Sequence, residues 1–309
     1  MRDNITAKGI SGWRSKLINP VLDKEFRLRM RTPRSMWTLF SYLFAIGLFA
    51  LCAIYLTQII SGNGQSFNPE ESKLLFYFLS FAQLGLISFM APGLTAGVVS
   101  GEREKQTLNL LLTTQQSSTT IILSKLVSSL GFMVLIVIST IPVYSMVFLY
   151  GGISPKQLSL VFLFYIFMMI VLGSFGILFS TLFKRTMISV IVTYGVTLFM
   201  FLGTLLIFYV LMAIVENTYS QTNTLTQPPM YSWLGHVIAW NPAVALYSIL
   251  DPSISKEIYN FRYSGTVSKE PWLQLWQEFM IIYGLLASGA LWLSIRKLRP
   301  NLKRKGNKA

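Results

Sequence analysis

The sequence predicts an all-α integral membrane protein with six transmembrane helices, and three observations carry that prediction. Of the 309 residues, 53% are hydrophobic and only 12% are charged. A soluble domain carries about twice that charged share, which it needs to cover a water-exposed surface. Apolar residues gather in six stretches, at 36–60, 74–99, 121–150, 158–183, 187–215 and 272–295. A helix of about 20 residues crosses a hydrocarbon core of about 30 Å, so each stretch is long enough to span. The net charge of +14 lies between and beyond these runs. A nucleic-acid binder would instead decorate one folded face with it.

The basic residues also orient the chain. Of the 26 lysines and arginines, only Lys73, Lys156, Lys256, Arg262 and Lys269 fall on one side of the six spans. The positive-inside rule therefore predicts that both termini are cytoplasmic. The expected organisation is a cytoplasmic basic segment over 1–35, a six-span domain over 36–295 and a cytoplasmic basic tail over 296–309. The amino end has no secretory-signal pattern, because its first stretch is polar and basic and the first apolar run is too long for a signal core.

The elements follow in chain order. In the segment 19–34, Val21, Leu22, Phe26 and Met30 recur at helical spacing, with Lys24, Arg27 and Arg31 on the remaining surface. This is an amino-terminal interfacial helix suited to an anionic inner leaflet, opened by Asn19-Pro20 and closed by Thr32-Pro33. Within spans 2 and 3, Pro92 and Pro142 allow bends. Gly93, Gly97 and Gly101 are spaced by four. They lie on one helix face, where small residues admit a close neighbour.

The connector over 100–120 is longer than a turn requires. Ser100 and Gly101 suit the start of a helix whose first turn carries Glu102 and Glu104, the favoured sign there. Leu108, Leu111 and Leu112 then form an apolar face beside Lys105, Gln106 and Asn109. Such a short amphipathic helix, expected over 102–114, suits docking of a cytoplasmic partner. Spans 4 and 5 are separated only by Lys184, Arg185 and Thr186, enough for a tight turn.

The outer loop over 216–271 begins polar and continues as an apolar, aromatic stretch at 231–250 that His236, Asn241 and Pro242 interrupt. It is too broken to span and too apolar for water, so one or two short re-entrant or interfacial helices are expected before span 6. Glu278 is the clear ionisable residue inside a span. Its bland reading is a helix-end carboxylate that pairs locally; the sharper one is an ion-coupled carrier.

Other chemistries lack the residues they need. One cysteine, Cys52, permits no intrachain disulfide, and one histidine, His236, with one cysteine makes a Cys/His zinc site untenable. No Walker A phosphate loop occurs, and no nucleophile–base pair can be assembled around a single histidine placed outside.

The run S-G-E-R-E-K-Q-T-L-N-L-L-L-T-T at 100–114, followed by I-I-L-S-K at 121–125, resembles the permeases of type-2 ATP-binding-cassette (ABC) exporters. The family pattern there is E-[RK]-E-x-[GQ]-T-L-x-x-L-L-x-[ST], a short spacer and a hydrophobic helix opening with a lysine. Many relatives have proline and a basic residue in the spacer, where this chain has Gln115, Gln116, Ser117 and Ser118. Six spans, an interfacial helix and short helices before span 6 extend the likeness over nearly the whole chain. Trp240-Asn241-Pro242 also resembles the family's N-P element before its last span, with proline breaking one helix and asparagine capping the next.

The resemblance implies that the connector is a cytoplasmic coupling helix between spans 2 and 3. Glu102, Arg103, Glu104, Lys105, Thr107 and Leu108 align with the family's ATPase-contacting segment. It further implies a non-enzymatic permease in a bacterial plasma membrane, paired with a second copy or a sister permease. A separate subunit would bind ATP and Mg and hydrolyse the nucleotide. Membrane lipid is an expected partner and nucleic acid is not. Phe40, Phe44, Phe49, Phe199, Met200 and Phe201 would suit an amphipathic cargo, but lipid contact explains them equally, so no substrate-binding residue is assigned. The rival is a membrane-embedded signalling or scaffold protein that binds a cytoplasmic partner without transport.

Overall fold

A computed structural model describes residues 33–61, 69–107, 117–149, 152–222, 232–259 and 272–298. The interfacial helix expected over 19–34 falls almost wholly outside these residues, as does the tail beyond 298. Among the described residues there are helices and no strands, and six spans are long and apolar enough to cross a membrane.

Span 1 is α1 (Pro33–Ser61) and span 2 is α2 (Pro69–Thr95), which a turn at 96–99 joins to the short α3 (Ser100–Glu104). Span 3 consists of α4 (Ser118–Ile138) and α5 (Ile141–Leu149), and span 4 is α6 (Pro155–Leu182). Span 5 consists of α7 (Thr186–Leu198), one π-helical turn (Phe199–Gly203) and α8 (Thr204–Thr222). Three short helices follow, α9 (Ser232–Ile238), α10 (Pro242–Leu250) and α11 (Ser253–Tyr259), before span 6, α12 (Leu275–Leu298).

The helix starts are built from ordinary caps. Ser117 accepts from the Thr120 N–H and Ser154 from that of Gln157, the latter with Pro155 in the first turn, where its missing N–H costs nothing. Pro142 deprives Ile138 of its helical donor, and span 3 breaks at Ser139–Thr140. Gln83 of span 2 donates to Thr140 Oγ1 at 3.1 Å, steadying the break. The bend expected at Pro92 is not a helix break: α2 runs through it, and the Ala96 N–H bonds the Pro92 carbonyl at 2.9 Å.

Span 4 lies at the centre, packed against spans 2, 3, 5 and 6. Gly176 permits the closest of these approaches. A Cβ there would overlap the Thr95 side chain and stand 3.2 Å from the Ala96 nitrogen. Gly93, Gly97 and Gly101 form the expected small-residue face, and it meets span 5: their absent Cβ atoms would lie 3.0 Å from the Tyr194 hydroxyl and 3.1 and 3.8 Å from Thr186. Spans 1 and 5 are peripheral. Phe40, Phe44 and Phe199 face outward on them, whereas Met200 is buried.

The outer loop folds more fully than its sequence suggests, into three short helices. Asn241 accepts from the N–H groups of Ala243 and Val244 and so caps α10, as its position before Pro242 predicts. It also donates from Nδ2 to the Phe201 carbonyl at 2.7 Å and to Thr204 Oγ1 at 2.9 Å. That carbonyl lies in the π turn, where the regular ladder is interrupted. Gly203 makes the turn possible, since a Cβ there would run into the Phe199 ring.

Candidate functional site at the connector between spans 2 and 3

The connector begins as a continuation of span 2. Backbone bonds run through the turn, from Gly101 N–H to the Gly97 carbonyl and from Arg103 N–H to that of Val99, at 2.9 and 3.0 Å. Val99, with helical dihedrals and no side-chain cap, precedes α3. The expected cap at Ser100 is therefore not used, because the chain enters α3 already coiled. Ser100 is instead buried, and Ser180 Oγ of span 4 accepts from the N–H groups of Val99 and Ser100 at 2.8 and 2.9 Å. Ser189 of span 5 donates to the Ala96 carbonyl at 2.7 Å. Two serines thus satisfy backbone groups that the irregular turn would leave buried and unpaired.

The three charged residues that follow each reach a different span. Glu102 Oε1 lies 2.5 Å from Lys125 Nζ at the start of span 3, and the lysine is 3% exposed against 29% for the glutamate. Arg103 donates to the carbonyls of Phe183 and Thr181, both at 3.2 Å. These belong to the end of α6, whose last carbonyls have no helical donor, and a cation there also matches the helix dipole. Glu104 accepts from the backbone N–H and the hydroxyl of Thr186, each at 2.8 Å. Thr186 opens α7, where Arg185 supplies no side-chain cap, so Glu104 caps span 5 from outside its own helix. The carboxylate is again the sign favoured at a helix start.

A helix reading over 102–114 is interrupted. The Lys105 and Gln106 N–H groups bond the Gly101 and Arg103 carbonyls, and Gln106 takes a φ of 58°, the left-handed conformation that ends a helix. Thr107 is helical again and its hydroxyl donates to the Glu102 carbonyl at 3.2 Å. Of the six residues aligned with an ATPase contact, Glu102, Arg103 and Glu104 are therefore brought together as fasteners. Glu104, Lys105 and Thr107 are exposed. Leu108, like the rest of 108–116, lies outside the described residues. Sequence reading missed Ser180, Ser189 and Thr186. The signal for the last was present: a turn as short as Lys184-Arg185 must place one helix's orphan carbonyls beside the next helix's orphan N–H groups.

A second polar cluster sits at the opposite end of the bundle. Glu278 Oε2 lies 2.9 Å from His236 Nδ1 of α9 and accepts from the Tyr259 hydroxyl of α11 at 2.6 Å. Burial, then the Glu278 carboxylate, holds the Tyr259 phenol well above its ordinary pKa, so it stays a donor. Glu278 is thus a locally paired carboxylate in the first turn of span 6. Among the described residues, no three His, Cys, Asp or Glu side chains are grouped to hold a metal ion.

Residues 19–290 match a family model described as ABC-2 family transporter protein. No curated protein matches the chain.

Proposed function

The chain belongs to the ABC-2 family of transporter proteins and is a multi-pass membrane permease of that kind; on that premise we propose that it is the membrane-spanning half of an exporter driven by a separate ATPase subunit. Both termini face the cytoplasm of a bacterial cell, and the permease acts with a second copy or a sister permease. ATP and Mg are bound by the partner. The ATPase seats against the connector, with Glu102, Arg103, Glu104, Lys105, Thr107 and Leu108 as the contact segment.

One observation supports this reading above the rest: three consecutive charged side chains tie the connector to the ends of spans 3, 4 and 5. A charge-assisted hydrogen bond is worth about 1.5–3 kcal/mol when shielded from water and less at a surface. Several such bonds to separate helices make a lever. A push on the connector moves four spans together, because α3 continues span 2 and is fastened to the other three. Within the segment the labour is divided. Glu102 (through Oε1) and Arg103 bond inward, while Lys105 and Thr107 are exposed and face the partner.

The test is purification of the tagged chain from its native membrane in mild detergent, followed by identification of stoichiometric partners and assay of ATP hydrolysis. An ATPase should accompany the chain and be lost from Lys105→Glu, whose side chain is exposed and makes no bond among the described residues. Glu104→Ala should keep the ATPase bound while transport per ATP hydrolysed falls. If no ATPase accompanies the intact chain even after crosslinking, the scaffold reading replaces this one.

A further inference from the structure

A cavity of about 570 Å³ opens at the end of the bundle remote from the connector. It lies between the start of span 4, the end of the short helix α10 with Pro252 beyond it, and the start of span 6. Its hydrogen-bonding side chains are one cation, three neutral amides, two hydroxyls and an indole. Gln274 Oε1 accepts from the Trp276 indole N–H at 2.5 Å, and Gln277 Oε1 accepts from the Gln274 backbone N–H at 3.1 Å. Each amide keeps its NH2 donors and one further lone pair on its oxygen. Gln157 donates from Nε2 to the Leu250 carbonyl at 2.6 Å and keeps a second N–H and its oxygen. Lys156 adds an exposed ammonium with three donors and, among the described residues, no carboxylate partner. No acidic side chain is among the described lining residues.

Leu160, Ile249 and Trp276 add apolar surface to the same lining. A lining that joins an ammonium and amide donors to apolar side chains, with no carboxylate among the described lining residues, suits a molecule with an anionic head and a hydrocarbon body. The location agrees, since spans 4 and 6 begin here and lipid headgroups lie at that level. The volume is within the range of sites that enclose a small ligand.

We propose that this cavity binds the phosphate headgroup of an anionic amphiphile, with Lys156, Gln274 and Gln277 donating to the phosphate oxygens and Leu160 bordering the start of its chain. The inference is independent of which subunit hydrolyses ATP. It concerns an ion-pairing, headgroup-level site and not the Glu278 cluster, whose carboxylate would repel the same ligand.

The experiment is native mass spectrometry of the full-length chain released from nanodiscs of mixed phosphatidylcholine and phosphatidylglycerol. Wild type should retain phosphatidylglycerol in preference to phosphatidylcholine. Lys156→Glu should cut that retention by about tenfold, the loss expected for one charge-assisted bond. Leu160→Trp, which enlarges a lining side chain and changes no charge, should cut it comparably. A general surface-charge effect would respond to the first variant and not the second, and that pattern overturns the proposal. So does equal retention of the two lipids by wild type. Addition of millimolar inorganic phosphate distinguishes the sources: displacement of the lipid by phosphate identifies a free-phosphate site and removes the amphiphile, whereas persistence of the lipid supports it.

Discussion

The two ends of the bundle use charge in opposite ways. At the connector, Glu102, Arg103 and Glu104 stand next to one another in sequence and diverge, each to a different span. At the remote end, His236 and Tyr259 come from two separate short helices and converge on one carboxylate, Glu278. Divergence joins long helices into one body, with helix termini as the anchoring points. Convergence staples a pair of short helices to span 6 and ties nothing else. A protein that must pass a displacement from one short segment into several spans needs the first design. The second only has to hold an outer cover in place.

The comparison can be broken most severely at Glu102. Glu102→Ala removes the carboxylate that pairs with the Lys125 ammonium, which is 3% exposed, and loss of one partner of a largely buried pair costs up to about 3 kcal/mol. The thermal midpoint of the purified protein should fall accordingly, and pairing Glu102→Leu with Lys125→Met should restore most of it. A single variant as stable as wild type would mean that the fastening is cosmetic.

Gly176→Ala comes next. The new methyl would overlap Thr95, and overpacking of this kind costs about 1–3 kcal/mol. It should separate spans 2 and 4 beside the connector and lower transport together with stability. Thr95→Ala in the same chain should return part of the loss, because it removes the hydroxyl that the methyl meets.

At the remote end the effects should be smaller and local. Tyr259→Phe removes the hydrogen bond to Glu278 and should cost about 1–2 kcal/mol. Hydrogen exchange should quicken in 253–259 and remain unchanged at the connector. His236→Gln is the mildest change, because its side chain is 60% exposed and exposed polar contacts contribute about 0–1 kcal/mol even when both partners are charged. If His236→Gln were the costlier of the two, the staple would depend on the histidine contact and not on the tyrosine.

Much of this architecture is legible in the order of the residues. Apolar runs a bilayer thick disclose six spans, and the glycine spacing at Gly93, Gly97 and Gly101 discloses a packing face. Asn241-Pro242 discloses a helix start. Each of these depends on periodicity or on local backbone chemistry, which operate over a few residues. The run at 102–104 likewise marks the connector as unusual. What those charges touch is a different kind of question. A pattern of acidic, basic, acidic in a surface segment reads as a docking face until the turn at Lys184-Arg185 is known to lie beside it.

The sequence by itself determined the membrane class, the number of spans and the place of the connector. The reason is that a hydrocarbon solvent leaves a chain no option but long apolar helices with internally satisfied backbones. Only the tertiary structure decided that Ser180 and Ser189 hold the irregular turn and that Arg103 and Glu104 serve the ends of spans 4 and 5. It alone decided, too, that Asn241 supports a π turn some 40 residues upstream. Orphan backbone groups at helix ends and bulges accept any suitably placed partner. Which side chain arrives there depends on how the helices pack, and no spacing along the chain records that.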